Sequence, residues 1–413
     1  MAVRKREWTN RKGEAKSAWI VDYTDAKGVR RLKTFAKKKD ADAFAAVAKI
    51  EVREGTHVAD RDSATIKQAG KFWIAAGEAA GLERSSIDQR RQHLKFHIEP
   101  LIGNVLLSKL NVPAARDFED RLRAEGRSPA MVKKVLGSLG GIFADAMERG
   151  LATRNPVRDM RGARRKGKER AAEKRAKGKL KVGIDIPLPG EVRKIISHLE
   201  GRWRPLILTA IFTGLRSSEL RGLRWQDIDF AAMEIHVVQR ADRYDDIGRP
   251  KSGAGERKVP LPPLVANALR EWKLACPRRD TGRLDGAGNE ITELHFVFPN
   301  GFGNPESHAN IVNRGLVPPQ IAVGLTIDTG EVDDEGNPIF KAKYTGLHAL
   351  RHFYASWCIN RPEDGGLGLP PKMVQERLGH SSITMTLDTY GHLFPKGDDG
   401  SELAAAEAFL MGR

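Results

Sequence analysis

Three short motifs between Gly346 and His392 decide how this chain is interpreted. They are Gly346-Leu347-His348-Ala349-Leu350-Arg351-His352, Leu378-Gly379-His380-Ser381-Ser382 and Tyr390-Gly391-His392. The apolar-rich run from His348 to Ile359 predicts a helix. His348 and Arg351 are three residues apart, so they are expected to share one face of that helix.

The second and third motifs place an imidazole and a phenol near the same face. A helix from about Pro371 to Leu378 is expected to stop at Gly379, a residue type suited to a helix C-terminus. His380 follows in the turn, and Tyr390 lies ten residues further on, in a third short helical segment. Arginine binds phosphate oxygens, histidine can donate to a phosphate or move a proton, and tyrosine can act as a covalent nucleophile. No acidic cluster for a metal lies nearby.

These motifs together resemble the tyrosine recombinase (phage integrase) family. The family pattern also has an arginine on an early helix and a lysine on a β-hairpin. Both are present upstream: Thr213 to Leu220 contains Arg216, and Lys251 to Leu261 begins with the lysine. Each motif alone is weak, whereas five in the family's order and spacing form a strong signal.

The resemblance implies a set of catalytic residues and a reaction. The set is Arg216, Lys251, His348, Arg351, His380 and Tyr390, with Glu219 bracing Arg216 from below. Tyr390 would attack a DNA phosphodiester, forming a 3′-phosphotyrosine bond and releasing a 5′-hydroxyl. Arg216 and Arg351 would stabilise the transition-state charge and lower the cost of ionising the phenol. No metal, nucleotide or other cofactor is implied.

The remaining implied roles concern proton transfer. Lys251 would protonate the leaving 5′-oxygen, although Lys258 on the same hairpin is a competing choice. His348 would act in acid–base work or bind the phosphate, and His380 would donate to a nonbridging oxygen. His352 and His392 also fall in this region and are interpreted as structural.

Composition independently indicates a nucleic-acid partner. The 413 residues carry a net charge of +17, and strongly basic soluble proteins usually bind polyanions. The longest nearly apolar run, Pro205 to Leu215, is too short to cross a bilayer, and the charged amino terminus does not resemble a secretory signal. Two cysteines make a disulfide framework unexpected. The expectation is a cytoplasmic, nucleoid-associated bacterial protein that binds double-stranded DNA and no membrane.

The pattern predicts an α+β, mainly α fold in four parts. Residues 1–60 are predicted to form an N-terminal β-sheet and helix module, 61–160 a helical domain, 161–183 a basic linker, and 184–413 a mixed α/β domain with a C-terminal tail. The resemblance implies that 61–160 is a core-binding domain and 184–413 the catalytic domain. In the first part, strands near Glu7–Asn10, Ser17–Tyr23 and Val29–Phe35 should carry Arg30 and Lys33 on their exposed face. The resemblance suggests that this face binds "arm" DNA sites; an ordinary solvated face is the alternative.

The helical domain offers further basic side chains that could contact core DNA. Ser85-Ser86 is expected to cap one helix, Ser128-Pro129 to open another, and Asn155-Pro156 to close the bundle. The candidate phosphate contacts are Lys95, Arg127, Lys133 and Lys134. Each could equally be a solvated surface residue.

The linker is the most basic stretch. Residues 161–181 contain eleven Lys or Arg and two Glu. Arg164 and Arg165 are the candidate DNA contacts in this stretch. Such a block should be poorly ordered without a partner. The resemblance implies that it lies along the DNA backbone between two gripping domains, and a flexible linker without contacts is the alternative.

The last domain contains three further predicted features. Phe296 to Pro299 is predicted to be a short strand, and Thr326 to Tyr344 an inserted hairpin before the His-x-x-Arg helix. The tail, Ser401 to Met411, is predicted to be a helix that docks either on a neighbouring subunit or on its own domain.

The functional prediction is a site-specific recombinase that integrates or excises a mobile element such as a prophage. The resemblance implies a homotetramer on two synapsed duplexes, with a possible DNA-bending or directionality factor. A type IB topoisomerase-like strand relaxer and a non-catalytic DNA-binding regulator on the same fold are the alternatives. Attachment sites and the preferred direction are not readable from the residues.

Overall fold

The computed structural model describes residues 1–9, 15–25, 28–53, 63–164, 179–395 and 400–412. The chain divides into two units, residues 1–174 and 175–413. Both are mainly helical with small antiparallel sheets, so the predicted α+β, mainly α class is confirmed. None of the described helices is both long and apolar enough to cross a membrane.

The first unit begins with a three-stranded antiparallel sheet in the order β1-β2-β3, covered on one face by helix α1. The elements are β1 (Ala2–Thr9), β2 (Ala15–Thr24), β3 (Arg30–Phe35) and α1 (Lys38–Arg53). Alternation along β2 buries Val21 and Tyr23 against Ala41 of the helix. Gly28, at φ +78°, provides the left-handed residue that the β2–β3 turn needs.

The expected exposed face of this sheet needs correction. Arg30 is exposed and pairs with Asp22 at 2.5 Å. Lys33 instead lies on the other face, with its Nζ 4.2 Å from the ring centroid of Phe44 on α1. The two residues are three apart on one strand, and strand side chains alternate, so they cannot share a face.

The rest of the first unit is a helical bundle. Its helices are α2 (Ile66–Ala79), α3 (Arg84–His93), α4 (Glu99–Ile102), α5 (Val112–Ala124), α6 (Pro129–Glu148) and α7 (Pro156–Arg164). A π-helical turn, Leu94–Ile98, joins α3 to α4. The apolar face of α6 packs against Ile66 and Phe118 in the bundle core.

Two expected helix ends in this bundle were wrong. The helix expected to begin after Ser85-Ser86 begins at Arg84, with Glu83 as its N-cap. Asn155-Pro156 opens α7 instead of closing the bundle; the Asn155 side chain accepts from the Arg158 N–H and donates to Gly140 O. Asn followed by Pro suits a helix start as well as a stop, and packing decided between them.

The second unit carries ten α-helices among the described residues. They are α8 (Pro189–Ser197), α9 (Trp203–Thr213), α10 (Ser217–Gly222), α11 (Pro263–Ala275), α12 (His308–Asn310), α13 (Val317–Ala322), α14 (Leu347–Ile359), α15 (Pro371–Leu378), α16 (Ile383–Tyr390) and α17 (Ser401–Leu410). The buried helix α9 lies at the centre of the core, packed with α11 and α14.

The strands of this unit form four small sheets. They are β4 (Ile228–Asp229), β5 (Glu234–Val237), β6 (Arg240–Ala241), β7 (Ile247–Gly248), β8 (Arg257–Pro260), β9 (Arg279–Leu284), β10 (Glu290–Glu293), β11 (Thr326–Val332) and β12 (Pro338–Ala342). The sheet β4-β5-β8 is antiparallel, and the β5–β8 connection carries Lys251 as predicted. The predicted inserted hairpin is β11–β12.

Two parts of this unit differ from the expectations. Residues 296 and 299 form only isolated bridges, with Arg224 and Pro305, so the predicted strand there was wrong. The hairpin β9–β10 was not predicted at all. In the tail helix, Leu403, Phe409 and Leu410 are all exposed, so they do not pack on their own domain.

Candidate active site

Helix α14 places three functional side chains next to one another. Gly346 is its N-cap, and His348, Arg351 and His352 follow within its first two turns. The rings of His348 and His352, four residues apart, meet edge to face with centroids 4.6 Å apart. The predicted shared face of His348 and Arg351 therefore also carries His352.

Arg351 is fixed by the C-terminal ends of two other helices. Its side chain is buried and donates to Gly214 O at 2.5 Å and Leu378 O at 2.6 Å. These carbonyls lie at the ends of α9 and α15, where the helix dipole favours a cation. Burial, followed by the charge of Arg216, lowers the pKa of Arg351 to about 10, so it remains protonated at neutral pH.

Glycine is required where α15 ends. Gly379 has φ +63°, and a Cβ there would lie 2.8 Å from Arg257 Nη1 and 2.9 Å from Ala254 O. The left-handed residue turns the chain so that His380 points back beneath α16. Its Nδ1 is 2.9 Å from Thr386 Oγ1 on that helix.

Arg216 and a second arginine share one buried carboxylate. Arg216 donates from Nη1 to Glu219 Oε1 at 2.7 Å and from Nη2 to Gly379 O at 3.0 Å. Arg257 on β8 donates to both oxygens of Glu219, at 3.2 and 2.9 Å. Glu219 therefore braces Arg216 as expected, and Arg257 is a site residue that sequence reasoning missed.

The electrostatics of Glu219 follow from that bridge. Burial opposes ionisation of the carboxylate, but the charge and hydrogen bonds of Arg257 and the charge of Arg216 outweigh it. The pKa of Glu219 is consequently lowered to about 2. The carboxylate is therefore ionised at neutral pH.

Tyr390 lies inside a cluster of aromatic and imidazole rings. Its side chain is 2% exposed, its Oη is 2.7 Å from His352 Nδ1, and the His380 ring is stacked on it with an interplanar angle of 5°. Burial raises the pKa of Tyr390 to about 12, against the opposing charges of Arg351 and Arg216. The arginines act in the expected direction, but burial outweighs them.

All three histidines of the cluster are held neutral. Burial, followed by nearby positive charge, lowers the pKa of His352 and of His380 to about 4. The pKa of His348 is lowered in the same direction, by desolvation and then by the charges of Arg351 and Arg216, although its side chain is exposed at the surface. At neutral pH each ring therefore has one N–H donor and one bare acceptor nitrogen.

The lysines of the β5–β8 connection occupy different environments. Lys251 is exposed in the loop between β7 and β8. That loop comes against the site at Ala254, which faces Gly379. Lys258 lies on β8 and pairs with Glu234 at 3.0 Å on the protein surface.

His392 and His352 have separate functions in the fold. His392 Nε2 is 2.7 Å from Leu180 O, so it links the end of α16 to the start of this unit. His352 contacts Tyr390, and its interpretation as merely structural overlooked that contact. The available signal was its spacing of four residues from His348 on a helix.

The candidate DNA contacts of the first unit are on the surface. Lys95, Lys133 and Lys134 are exposed, and Arg127 is exposed 3.8 Å from Glu125. Arg164 ends α7, and Arg165 lies outside the described residues. Within the described part of the chain, no group of three His, Cys, Asp or Glu side chains could hold a metal ion.

Comparison with known proteins identifies the chain's relatives. The profile of the phage integrase family matches residues 188–396, and that of the phage integrase central domain matches residues 66–163. The chain belongs to the phage integrase family. Membership assigns it to the tyrosine recombinases and, at the level of class, to site-specific recombination.

Curated relatives cover most of the chain. A XerC-like tyrosine recombinase of Caldanaerobacter subterraneus subsp. tengcongensis is 25% identical over 87% of this chain and 87% of its own length. The ICEBs1 integrase of Bacillus subtilis is 26% identical over 76% of this chain and 77% of its own length.

Solved structures share the fold. The Tn1549 transposon integrase in complex with transposon right end DNA has a TM-score of 0.58 at 20% identity, covering 84% of this chain and all of its own. A lambda integrase dimer bound to a core site has a TM-score of 0.52 at 17% identity, covering 96% of this chain and 95% of its own.

Proposed function

We propose that the protein integrates or excises a mobile element by cutting and rejoining DNA through a 3′-phosphotyrosine intermediate at Tyr390. The observation that carries this proposal is the position of the Tyr390 phenol, 2.7 Å from His352 and stacked on His380, in a cluster that includes Arg351. The energy of the broken phosphodiester is kept in the new ester. The 5′-hydroxyl of a second DNA end can therefore attack that ester and reverse the step without ATP.

Arg216 and Arg351 supply the positive charge for the phosphate. Both guanidinium groups are held by carbonyl or carboxylate oxygens, so little reorganisation is needed when charge develops in the transition state. His380 can add a donor: if Nδ1 accepts from Thr386, the proton lies on Nε2. His348, which is neutral and at the surface, is the second donor or the proton carrier.

Activation of the phenol needs a proton acceptor. With a pKa of about 12, ionising Tyr390 at pH 7 costs about 7 kcal/mol, against about 4 kcal/mol for an exposed phenol. Transferring the proton during attack avoids that cost. His352, neutral and 2.7 Å away, is the acceptor in this proposal. Its pKa of about 4 is too low for this step in the free protein, so the proposal requires the negative charge of the bound phosphodiester to raise it.

His352 can be tested by two substitutions that separate holding the phenol from accepting its proton. His352→Leu should slow formation of the covalent protein–DNA complex by about 100-fold, the lower range for loss of a general base. His352→Asn keeps a hydrogen-bonding group near Nδ1 and should recover only part of the rate. Single-turnover cleavage, measured beside DNA affinity, gives both values. Full recovery by Asn would reduce His352 to a positioning residue.

Lys251 is proposed to protonate the leaving 5′-oxygen. It is exposed on a loop that comes against Gly379, one residue before His380. An ammonium on such a loop can reach a bound phosphate and carries a transferable proton. Lys258 is less suited because it lies on strand β8, at the protein surface, and not on that loop.

Double-stranded DNA is the proposed partner of all the basic parts. The charge of +17 and the exposed Lys95, Lys133 and Lys134 support binding of core sites by residues 61–160. The sheet of residues 1–60, with Arg30 on its open face, is proposed to bind arm sites, and the linker 161–183 to follow the backbone. A DNA-bending or directionality factor would complete the assembly.

Four copies are proposed to act on two synapsed duplexes. Among the structural relatives is a lambda integrase tetramer bound to a Holliday junction, with a TM-score of 0.51. In this chain the exposed Leu403, Phe409 and Leu410 of α17 support docking of the tail on a neighbouring copy.

The experiment that tests the proposal is trapping on a nicked suicide duplex made from the DNA that flanks the gene. A covalent complex should form in the presence of EDTA and without ATP. Mass spectrometry of the DNA-linked peptide should place the bond on Tyr390, one of five tyrosines in the chain. A linkage to Tyr23, Tyr244, Tyr344 or Tyr354 would refute the assignment of the nucleophile.

A further inference from the structure

The second unit contains two copies of one hairpin. Asp280-Thr281-Gly282-Arg283-Leu284-Asp285-Gly286-Ala287-Gly288-Asn289-Glu290-Ile291 matches Asp328-Thr329-Gly330-Glu331-Val332-Asp333-Asp334-Glu335-Gly336-Asn337-Pro338-Ile339 in the residue types Asp, Thr, Gly, Asp, Gly, Asn and Ile, in register. The first stretch builds β9–β10 and the second builds β11–β12. We call them the first and second hairpin.

Their turns have the same geometry. Asp285 Oδ1 accepts from the Asn289 N–H at 2.8 Å, and Asp333 Oδ1 accepts from the Asn337 N–H at 2.8 Å. The glycine before each asparagine has φ +84° in both hairpins. A similar turn occurs at Asn300 to Asn304, so the turn by itself is not distinctive.

The likeness extends beyond the turn into the strands. Thr281 Oγ1 donates to Ile291 O at 2.7 Å, and Thr329 Oγ1 donates to Ile339 O at 2.8 Å. The following glycines have φ +71° and +72°, and the ladder register shifts at the same point in both hairpins. Such bulges set local twist, so the two ribbons have the same shape.

Both hairpins leave backbone edges and apolar side chains uncovered. Within the described part of the chain each is a separate two-stranded sheet, so each strand has one edge without a ladder partner there. Leu284 is 65% exposed and Val332, at the equivalent position, is 63% exposed. Open strand edges with apolar side chains are sites at which another strand adds.

The charges at equivalent positions are opposite. Arg283 on β9 corresponds to Glu331 on β11, and neither makes an ion pair among the described residues. The turn tip is neutral in the first hairpin, Gly286-Ala287, and acidic in the second, Asp334-Glu335. Asp285 and Asp333 are excluded from this comparison because each caps its own turn.

We propose that the first hairpin of one copy binds the second hairpin of another copy of this chain. The edge of β9 would pair in parallel with the edge of β11, bringing Arg283 to Glu331 and Leu284 to Val332. Two different surfaces meet in this contact, so it runs head to tail and can close a ring of copies. The inference rests on the proposed function only in that several copies assemble on DNA.

The contact should be small and therefore transient without DNA. Two ribbons of this length cannot bury the area of a standard stable interface. The proposed contact accordingly joins copies that DNA has already brought together, where a weak second interaction acts at high effective concentration.

Cysteine cross-linking of the full chain tests the contact. Leu284→Cys and Val332→Cys are made separately in a Tyr390→Phe background. The native Cys276 and Cys358 are free thiols, but both are buried, so the cross-linker should react with the introduced cysteines. A mixture of the two variants, treated with a short bismaleimide on the flanking-DNA duplex, should give a cross-linked pair. Neither variant alone should do so.

Charge reversal provides the second measurement. Arg283→Glu or Glu331→Arg should lower the cross-linking yield at least about threefold, and the double reversal should restore it, because a paired charge is exchanged for a like-charge contact. Lys194→Glu, an exposed reversal on α8, is the matched control and should leave the yield unchanged.

Three outcomes would overturn the proposal. The first is no cross-linked pair from the mixture, with the duplex or with concentrated protein alone. The second is cross-linking by Leu284→Cys alone, which indicates a symmetric contact. The third is a loss of duplex affinity by single copies of the Arg283→Glu variant that is as large as the loss of cross-linking yield. That result would assign the first hairpin to DNA binding. Because the Tyr390→Phe background carries no chemistry, failure of the trapping experiment would leave these readouts intact.

Discussion

Tyr390→Phe is expected to abolish the covalent protein–DNA complex while leaving noncovalent DNA binding in place. The substitution removes one oxygen, and the ring can keep its stack on His380. The remaining cost is a partly buried His352 nitrogen without its partner, which should lower the free energy of unfolding by about 1–3 kcal/mol. Denaturing gels after trapping measure the first effect, and thermal unfolding measures the second.

Tyr344→Phe is the matched control for that experiment. Tyr344 is likewise buried, and its hydroxyl donates to Glu191 Oε2 at 2.6 Å. Losing this bond should cost similar stability, but covalent complex formation should persist. A complex that survives in Tyr390→Phe, or one that disappears in Tyr344→Phe at a temperature where the protein is folded, would contradict the assignment.

Glu219→Gln is expected to destabilise the catalytic unit strongly and to lower its activity. The carboxylate is 3% exposed and holds both Arg216 and Arg257. Removing one partner from a buried ion pair costs about 3–5 kcal/mol, because it leaves charge buried without compensation. Chemical denaturation measures this loss, and the trapping rate reports the freed Arg216.

The free energy of unfolding, measured as the pH is lowered, tests the role of the same carboxylate independently. The pKa of Glu219 is about 2 in the folded chain, against 4.5 for the ordinary group. Because the folded-state pKa is depressed, the ionised carboxylate contributes about 3 kcal/mol of stability at pH values above its unfolded-state pKa. That contribution is lost as pH falls from about 4.5 towards 2. The Gln variant should lack this part of the acid transition.

Asp227→Asn serves as the control for Glu219→Gln. Asp227 is also buried and pairs with an arginine three residues away, Arg224, at 2.8 Å. It holds one guanidinium instead of two and lies outside the candidate site. Equal losses of trapping rate in both variants would show that general destabilisation, and not the position of Arg216, explains the effect.

The local elements of the site were predictable because their determinants are local. Helical periodicity fixed α14, and glycine at the end of α15 turned the chain so that His380 lies beside α16. The spacing of the motifs led to Arg216, and the structure places Glu219 beneath it as expected. These signals reside in neighbouring residues, which sequence alone presents together.

The residues that were missed depend on contacts between distant segments. Arg257 reaches Glu219 from a strand, and His352 reaches Tyr390 from another helix. The assignment of Lys33 to an open face was an error of strand alternation, visible in the sequence itself. The short strand expected at 296–299 failed because those residues make bridges without a continuous ladder.

The sequence by itself determined the fold class, the family and the set of groups able to act on a phosphate. Periodicity and motif order are properties of the amino-acid sequence, so they can be recognised without a structure. Only the tertiary structure decided the protonation of those groups. It buries the Tyr390 phenol, so that its pKa rises despite two arginines, and it keeps the neighbouring histidines neutral. Desolvation depends on how completely distant segments enclose a side chain, and no spacing of residues specifies that enclosure.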